Sequence, residues 1–427
     1  MRSRLTVTGW KCIQYANNLA RPYPRYPQCR AISQLSQSSR VPRLAALNRG
    51  QCPFAAGPAL YTSQQQHRQL NREMSTSSPS PSKSPRVLFF GTGAIGSVYA
   101  YLLSRTIPAN SIYTVCRSNY AHAREHGFTI NSTIWGDNLH VHPQVVDSVS
   151  SAVASSPSEP FDYVIVTAKS IESTPSIPTL IRPAVGADTT IVLIQNGIDI
   201  EPIYAQEFPD STILSCVIYL PATQTSPGVI THREIEYLHL GTYPATSPTS
   251  VSSPTSTSGQ TRKLHRDQLH AEAFTQLLTA SGATATLHAD VQRERWRKLL
   301  VNAAWNPVCA LSRSRDAAFM ASTPDDGAEV IRQLMLEVAS IANAIGYADL
   351  GPDQVDHQIS RAKARPLPGV EPSMLADVAA GRNMEVEAIV GNALRIAQRN
   401  NVHTPLLRLV YSLVKALDDV SRRDRER

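Results

Sequence analysis

The chain has 427 residues, 42% of them hydrophobic, which is enough for two medium-sized domains with cores of their own. Its formal charge of +7 is concentrated at one end. Residues 1–72 carry eleven Arg or Lys and no acid, so the remainder stands at −4, which excludes reading the basic balance as nucleic-acid binding, and no run of eighteen apolar residues exists to make a spanning helix.

Residues 1–85 are rich in Arg, Ser, Gln and Pro and read as a disordered leader. Freedom from acids over residues 1–72, with no compact apolar stretch, fits a mitochondrial transit segment better than a secretory signal. A plain tail fits the same residues, as does a chain that starts at Met74, just ahead of Ser75-Thr76-Ser77. The expected location is therefore mitochondrial or cytoplasmic. Cys12, Cys29 and Cys52 fall in the leader, whereas Cys116, Cys216 and Cys309 sit in apolar runs without metal-like spacing and read as reduced core cysteines. No structural metal is expected.

Val87-Leu88-Phe89-Phe90 runs directly into Gly91-Thr92-Gly93-Ala94-Ile95-Gly96 and then into small and apolar residues through Leu103. A buried strand, a tight glycine turn and the opening of a helix form a dinucleotide-binding unit. Gly91 permits the turn, and Gly93 lets backbone amides approach a pyrophosphate. Gly96 lets the helix lie close on its strand, with its positive end facing the anion. The next strand, Ser111–Cys116, ends on Arg117-Ser118-Asn119 with no carboxylate since Gly96. An Asp or Glu there would suit a ribose 2′-hydroxyl, whereas an Arg suits a 2′-phosphate, so NADP(H) is the cofactor expected. A surface arginine closing a strand would look the same.

A short helix over Ala121–Phe128 ends at Gly127 as a C-cap. Asp162–Thr167 and Thr189–Ile194 read as apolar strands that end in polar residues, Ala168-Lys169-Ser170 and Gln195-Asn196-Gly197. In open α/β sheets the ligand crevice lies beyond such carboxyl ends. Thr212–Leu220 reads as a further strand, and Val229-Ile230 with Tyr237–Leu240 as an antiparallel edge. The Ser/Thr/Pro tract from Pro244 onward cannot bury a core and reads as a surface insertion. From about Arg295 to Asp419 the pattern turns helical, and the last helix opens at Thr404-Pro405 with Leu406, Val410, Leu413 and Leu417 at helical spacing.

Within Arg295–Pro307, Lys298, Asn302 and Asn306 stand at i, i+4 and i+8 and form one polar stripe on an otherwise apolar helix. Such a stripe lines a cleft, where two amides and an ammonium bind an oxygen-rich substrate and the ammonium gives up a proton. A narrow wet edge with an Asn before a helix-ending Pro307 is the alternative. Downstream, Ser373 is a ligand or an N-cap. Glu385 heads an apolar stripe of Val386, Ile389, Val390 and Ala393, so it needs either a ligand or an ion-pair partner such as Arg382.

Gly91–Gly96, Arg117, Lys169, Gln195-Asn196-Gly197, Lys298-Leu299, Asn302, Asn306-Pro307, Ser373-Met374-Leu375, Asp377, Arg382 and Glu385, in that order and spacing, resemble the ketopantoate reductase (2-dehydropantoate 2-reductase) family from about residue 86 to 420. The resemblance implies an α/β Rossmann-type N-terminal domain over 86–290, carrying the low-complexity insertion at 244–265. An all-α C-terminal domain for substrate and dimerisation would follow over 291–421. It implies NADPH-dependent reduction of 2-dehydropantoate to (R)-pantoate, on the way to pantothenate and coenzyme A. Gly91, Thr92, Gly93, Ala94, Ile95 and Gly96 would then hold the pyrophosphate. Arg117 and Lys169 would sit at the adenosine phosphates, and Asn196 and Glu385 on the nicotinamide side. Lys298 would be the general acid, and Asn196, Lys298, Asn302, Asn306, Ser373 and Glu385 would contact substrate.

A reductase of another 2-oxo acid is the first alternative. A catalytically silent NADP-binding sensor is the second; it predicts loss of Lys298 or Glu385, and both are present. The partners expected are a small 2-oxo acid and, as one option, a second copy of the chain, with neither nucleic acid nor membrane.

Overall fold

The computed structural model describes residues 84–155, 160–245 and 258–426. The leader expected over 1–85, apart from its last two residues, and most of the Ser/Thr/Pro tract therefore lie outside the described residues. The first described element is strand β1 (Val87–Phe90), followed across the glycine turn by helix α1 (Ala94–Leu103). Next come β2 (Ile112–Val115), α2 (Tyr120–His126), β3 (Phe128–Ser132), β4 (Gly136–Val141), β5 (Gln144–Val146) and α3 (Val149–Ala154). After them run β6 (Tyr163–Val166), α4 (Ile177–Ile181), β7 (Thr190–Leu193), α5 (Pro202–Glu207) and β8 (Thr212–Tyr219). The α/β part closes with β9 (Ala222–Ser226), β10 (Val229–His232), β11 (Tyr237–Thr242), α6 (Ser258–Ala280) and β12 (Ala285–Leu287).

Eight strands form one sheet in the order β12-β11-β8-β7-β6-β1-β2-β5. The six from β8 to β5 are parallel, while β11 runs antiparallel to β8 with β12 parallel beside it. Successive residues of a strand serve opposite faces. Val87 and Phe89 join α1 and α6 in one core, whereas Leu88 joins α3, α4 and α5 in another. Burial on both faces is why these strands read as unbroken apolar runs.

Three expectations change here. Val229-Ile230 does not pair with Tyr237–Leu240; β10 belongs to a separate four-stranded sheet in the order β4-β3-β10-β9. Nor is β11 an edge, because β12 covers it. Helix α6 begins at Ser258, inside the 244–265 tract taken as an insertion, and it anchors itself through buried Ala271, Phe274 and Leu278 at i, i+3 and i+7.

From Gln292 onward the described residues are helical. Helix α7 (Gln292–Ser312) is followed by α8 (Asp316–Ser322), α9 (Gly327–Ala344), α10 (Pro352–Lys363) and α11 (Ser373–Ala379). A π turn over Glu387–Gly391 leads into α12 (Asn392–Arg399), and α13 (Pro405–Glu426) ends the fold. Helix α7 is the central one, buried through Trp296, Leu300, Ala303, Ala304 and Cys309 against α9, α11 and α13. Pro307 does not end it. The helix runs on to Ser312 because the apolar turn after the proline is buried and packing outweighs one missing N–H. On α13 Leu407 and Val414 are buried, with Leu406, Val410 and Leu417 of the expected stripe packed against the same core, whereas Leu413 is 50% exposed. Cys116, Cys216 and Cys309 are all free and buried. None of the described helices is long and apolar enough to cross a membrane.

Candidate active site

The glycine turn leaves β1 with Gly91 at φ +86°, where a Cβ would run into Ala168 at the end of β6. Around Gly93 there is open space, so nothing screens the backbone on that side. Gly93 is also the N-cap of α1, and it has no side chain with which to cap. The amides of Ala94 and Ile95 are thus left for an outside acceptor, and no acid stands in the first turn to oppose an anion. Gly96 faces Thr167, whose Oγ1 a Cβ would meet at 2.7 Å, so the helix lies as close to the sheet as its spacing promises. These residues fit a dinucleotide pyrophosphate. Thr92, expected at the pyrophosphate, instead donates its amide to the Val115 carbonyl at 3.1 Å, accepts from Asn119 at its carbonyl and buries its side chain, so it shapes the turn.

Arg117 is exposed just past β2, and its guanidinium has no partner among the described residues. Asn119, two residues on, is buried; its Nδ2 donates to the Thr92 carbonyl at 2.9 Å and to Gln224 Oε1 at 3.2 Å. It thereby fixes the turn from the side, a role the sequence did not signal, because an Asn after a strand reads as a turn residue.

The ends of β6 and β7 meet the helical half at one place. Gln195 Nε2 donates to the Ala168 carbonyl at 2.7 Å, setting Asn196 beside the β6 terminus. Lys298 Nζ donates to Asn196 Oδ1 at 2.9 Å and to the Ile218 carbonyl at 2.5 Å. Asn196 Nδ2 donates in turn to Glu385 Oε2 at 3.2 Å, and the Ser170 amide donates to Glu385 Oε1 at 2.9 Å. An ammonium, an amide and a carboxylate are thus joined in one chain, assembled from β7, α7 and the segment ahead of the π turn. Two of the three ammonium donors are committed and one remains for a ligand. Burial pushes the Lys298 ammonium down to about 8, with the Arg295 charge acting in the same direction and Glu385 opposing it. The Lys298 ammonium also lies 5.4 Å from the ring centre of Tyr219.

Asn302 lines the same cleft as Asn196, Lys298, Val217 and Leu299, and its amide has no partner among the described residues. Asn306 is deeper, with Nδ2 donating to Ser373 Oγ at 3.3 Å. Ser373 is the first residue of α11 and does not act as its cap, Pro372 occupying that position. Glu385 is 5% exposed and makes no ion pair with Arg382, which donates to Asp377 Oδ1 at 3.1 Å instead. Lys169 is also drawn to Asp377, at 2.5 Å, and to the Asn383 carbonyl at 3.3 Å. A role for Lys169 at a phosphate requires exchanging that carboxylate for the phosphate.

Sequence reasoning missed Arg295. It is buried and pairs with the fully buried Glu201 at 3.1 Å. The signal was available in the notion that a helix apolar nearly all round cannot leave an arginine in solvent, but spacing alone does not say what that arginine meets.

Comparison with known proteins places both halves of the chain in one family. The family model described as ketopantoate reductase PanE/ApbA matches residues 87–245, and its C-terminal counterpart matches residues 290–418. A 2-dehydropantoate 2-reductase from Nostoc is 27% identical over 332 residues, covering 78% of this chain and 95% of the relative. An uncharacterised protein of Saccharomyces cerevisiae is 29% identical over 353 residues, covering 77% and 92%. Among solved structures, the 2-dehydropantoate 2-reductase of Methylococcus capsulatus is 33% identical, covers 79% of this chain and 97% of its own, and superposes with a TM-score of 0.63. A D-mandelate dehydrogenase solved with NADH and anilino(oxo)acetate shares the fold at 18% identity and a TM-score of 0.64.

Proposed function

The chain belongs to the ketopantoate reductase family, and on that premise we propose that it reduces 2-dehydropantoate to (R)-pantoate with NADPH, using Lys298 as the general acid. The observation that carries this reading is the Lys298–Asn196–Glu385 chain, lying beyond the carboxyl ends of the sheet that also bears the glycine turn. NADPH, when bound, supplies a hydride to the 2-oxo carbon. The amides of α1 and the exposed Arg117 would hold its phosphates.

Negative charge then grows on the ketone oxygen. The free donor of the Lys298 ammonium faces the cleft where that oxygen would lie, stabilises the charge and transfers a proton to it. An ammonium held near 8 by burial releases its proton more readily than an exposed lysine and is still charged at neutral pH. Asn196 fixes the ammonium by accepting from it. Glu385, already oriented by Ser170 and Asn196, accepts from the substrate hydroxyl, and Asn302 offers its free amide to the carboxylate. Asn306 and Ser373 close the deeper side.

The test is NADPH oxidation by the full chain against 2-dehydropantoate and a panel of straight-chain, branched and aryl 2-oxo acids. The highest kcat/KM is expected with 2-dehydropantoate. A higher value with another member of the panel would move the substrate and keep the reaction. Absence of oxidation with every member would overturn the proposal.

A further inference from the structure

Arg295 lies one turn ahead of Lys298 on α7, and its guanidinium is 3% exposed. Its Nη1 donates to the Gln195 carbonyl at 3.0 Å and to the Gly197 carbonyl at 2.9 Å, the residues on either side of Asn196. Its Nη2 donates to Ser215 Oγ at 2.7 Å and the Cys216 carbonyl at 3.0 Å, and its Nε donates to Ser215 Oγ at 3.2 Å. Glu201, with no exposure at all, neutralises it at 3.1 Å and is itself held by Ser215 and Gln292. A surface fork would be worth little. A buried one that grips the main chain on both sides of a single residue fixes where that residue's side chain points.

We propose that Arg295 is a positioning residue for the reduction: by bracketing Asn196 through the Gln195 and Gly197 carbonyls, it sets the Asn196 side chain between the Lys298 ammonium and Glu385. Glu201 makes the bracket possible, because an arginine stripped of water without a counter-charge would unfold the site. A lysine at 295 could not replace it, since three donors on one nitrogen cannot hold the Gln195 and Gly197 carbonyls and also reach Ser215 Oγ and the Cys216 carbonyl, which Nη2 and Nε engage.

The same guanidinium acts on Lys298 by charge. The groups that face the ammonium are Arg295 from its own helix, Glu385 from the segment ahead of the π turn, Tyr219 from β8 and His239 from β11. Arg295 stands among the causes that lower the affinity of Lys298 for its proton, after burial itself, so removing its charge should raise that affinity.

The inference rests on Lys298 and Asn196 acting in the reduction proposed above, and its test has one arm that needs no turnover. Two full-length variants serve, Arg295→Lys and the charge-free pair Arg295→Met with Glu201→Gln. The pair removes both buried charges together and keeps the volume, so it should fold. Competitive acetylation of Lys298, followed by mass spectrometry across pH in protein without cofactor, reads the ammonium directly. Steady-state kinetics and NADPH fluorescence read the rest.

For the double variant the midpoint of Lys298 should rise. Its kcat should fall about 10- to 100-fold, as for a small misplacement of a reacting group, with NADPH affinity unchanged. Arg295→Lys should leave the midpoint in place and still lower kcat about tenfold. A wild-type kcat in Arg295→Lys, or a double variant with both midpoint and kcat unchanged, would overturn the proposal. Loss of turnover in the wild-type protein against every 2-oxo acid would instead strike the functional reading and leave the acetylation result standing.

Discussion

At the end of β2 a carboxylate would accept from a ribose 2′-hydroxyl and repel a 2′-phosphate; Arg117 stands there, exposed and without a partner among the described residues. Arg117→Ala should therefore raise KM for NADPH by about tenfold or more while that for NADH moves little, since only the 2′-phosphate loses a charged partner. Equal effects on the two cofactors would show that Arg117 does not select between them. Lys298 and Glu385 make a second prediction. The donor must be charged, so kcat for reduction should decline as pH rises through about 8. Glu385 favours the charged ammonium, so Glu385→Gln should move that decline to lower pH, and an unmoved profile would remove the electrostatic link. Glu385→Ala should act mainly on kcat/KM for substrate, because in the proposed mechanism it removes the acceptor for the substrate hydroxyl. Lys298, Asn302 and Asn306 were legible in the sequence because three polar residues on one stripe of an apolar helix leave few readings. Arg295 and Asn119 were not, because what they hold is main chain far away in sequence, and no local pattern marks it.

Among the elements, the turn after β7 shows how tightly the two halves are fitted. Gly197 has φ +103°, and a Cβ there would press into the Ala388 carbonyl in the π turn, which already accepts from the Ile198 amide at 2.9 Å. The π turn offers that carbonyl outward, a common use of such turns near functional sites. Gly197→Ala should cost about 2–4 kcal/mol, combining a left-handed backbone with overpacking against main chain. Denaturant unfolding would measure it, and a loss below about 0.5 kcal/mol, the range of ordinary surface changes, would mean that the contact yields easily. The central strands were readable because burial on both faces gives continuous apolar runs. Strands β5 and β12 have three residues each, too short to show alternation, and β3, β4 and β9 were likewise missed. Helix α6 buries only part of a polar surface, so its period was hidden beside the Ser/Thr/Pro tract.

At the scale of the whole molecule, the site exists only because the sheet and the helices share it. Lys298 reaches from α7 to the ends of β7 and β8, Glu385 reaches back to Ser170 and Asn196, and Asp377 takes Lys169 from the far side. The order of motifs along the chain announced an α/β part followed by a helical one, but not which residues would close on each other, since those contacts span up to 215 positions. In the proposed reduction this junction delivers its proton from Lys298. The most direct measurement is the steady-state kcat of Lys298→Ala, taken with its NADPH affinity and its unfolding transition. We predict a folded protein that binds NADPH as before and loses about 10²- to 10⁴-fold in kcat, the span for a positioned acid. A folded variant that binds NADPH and turns over at the wild-type rate would contradict it.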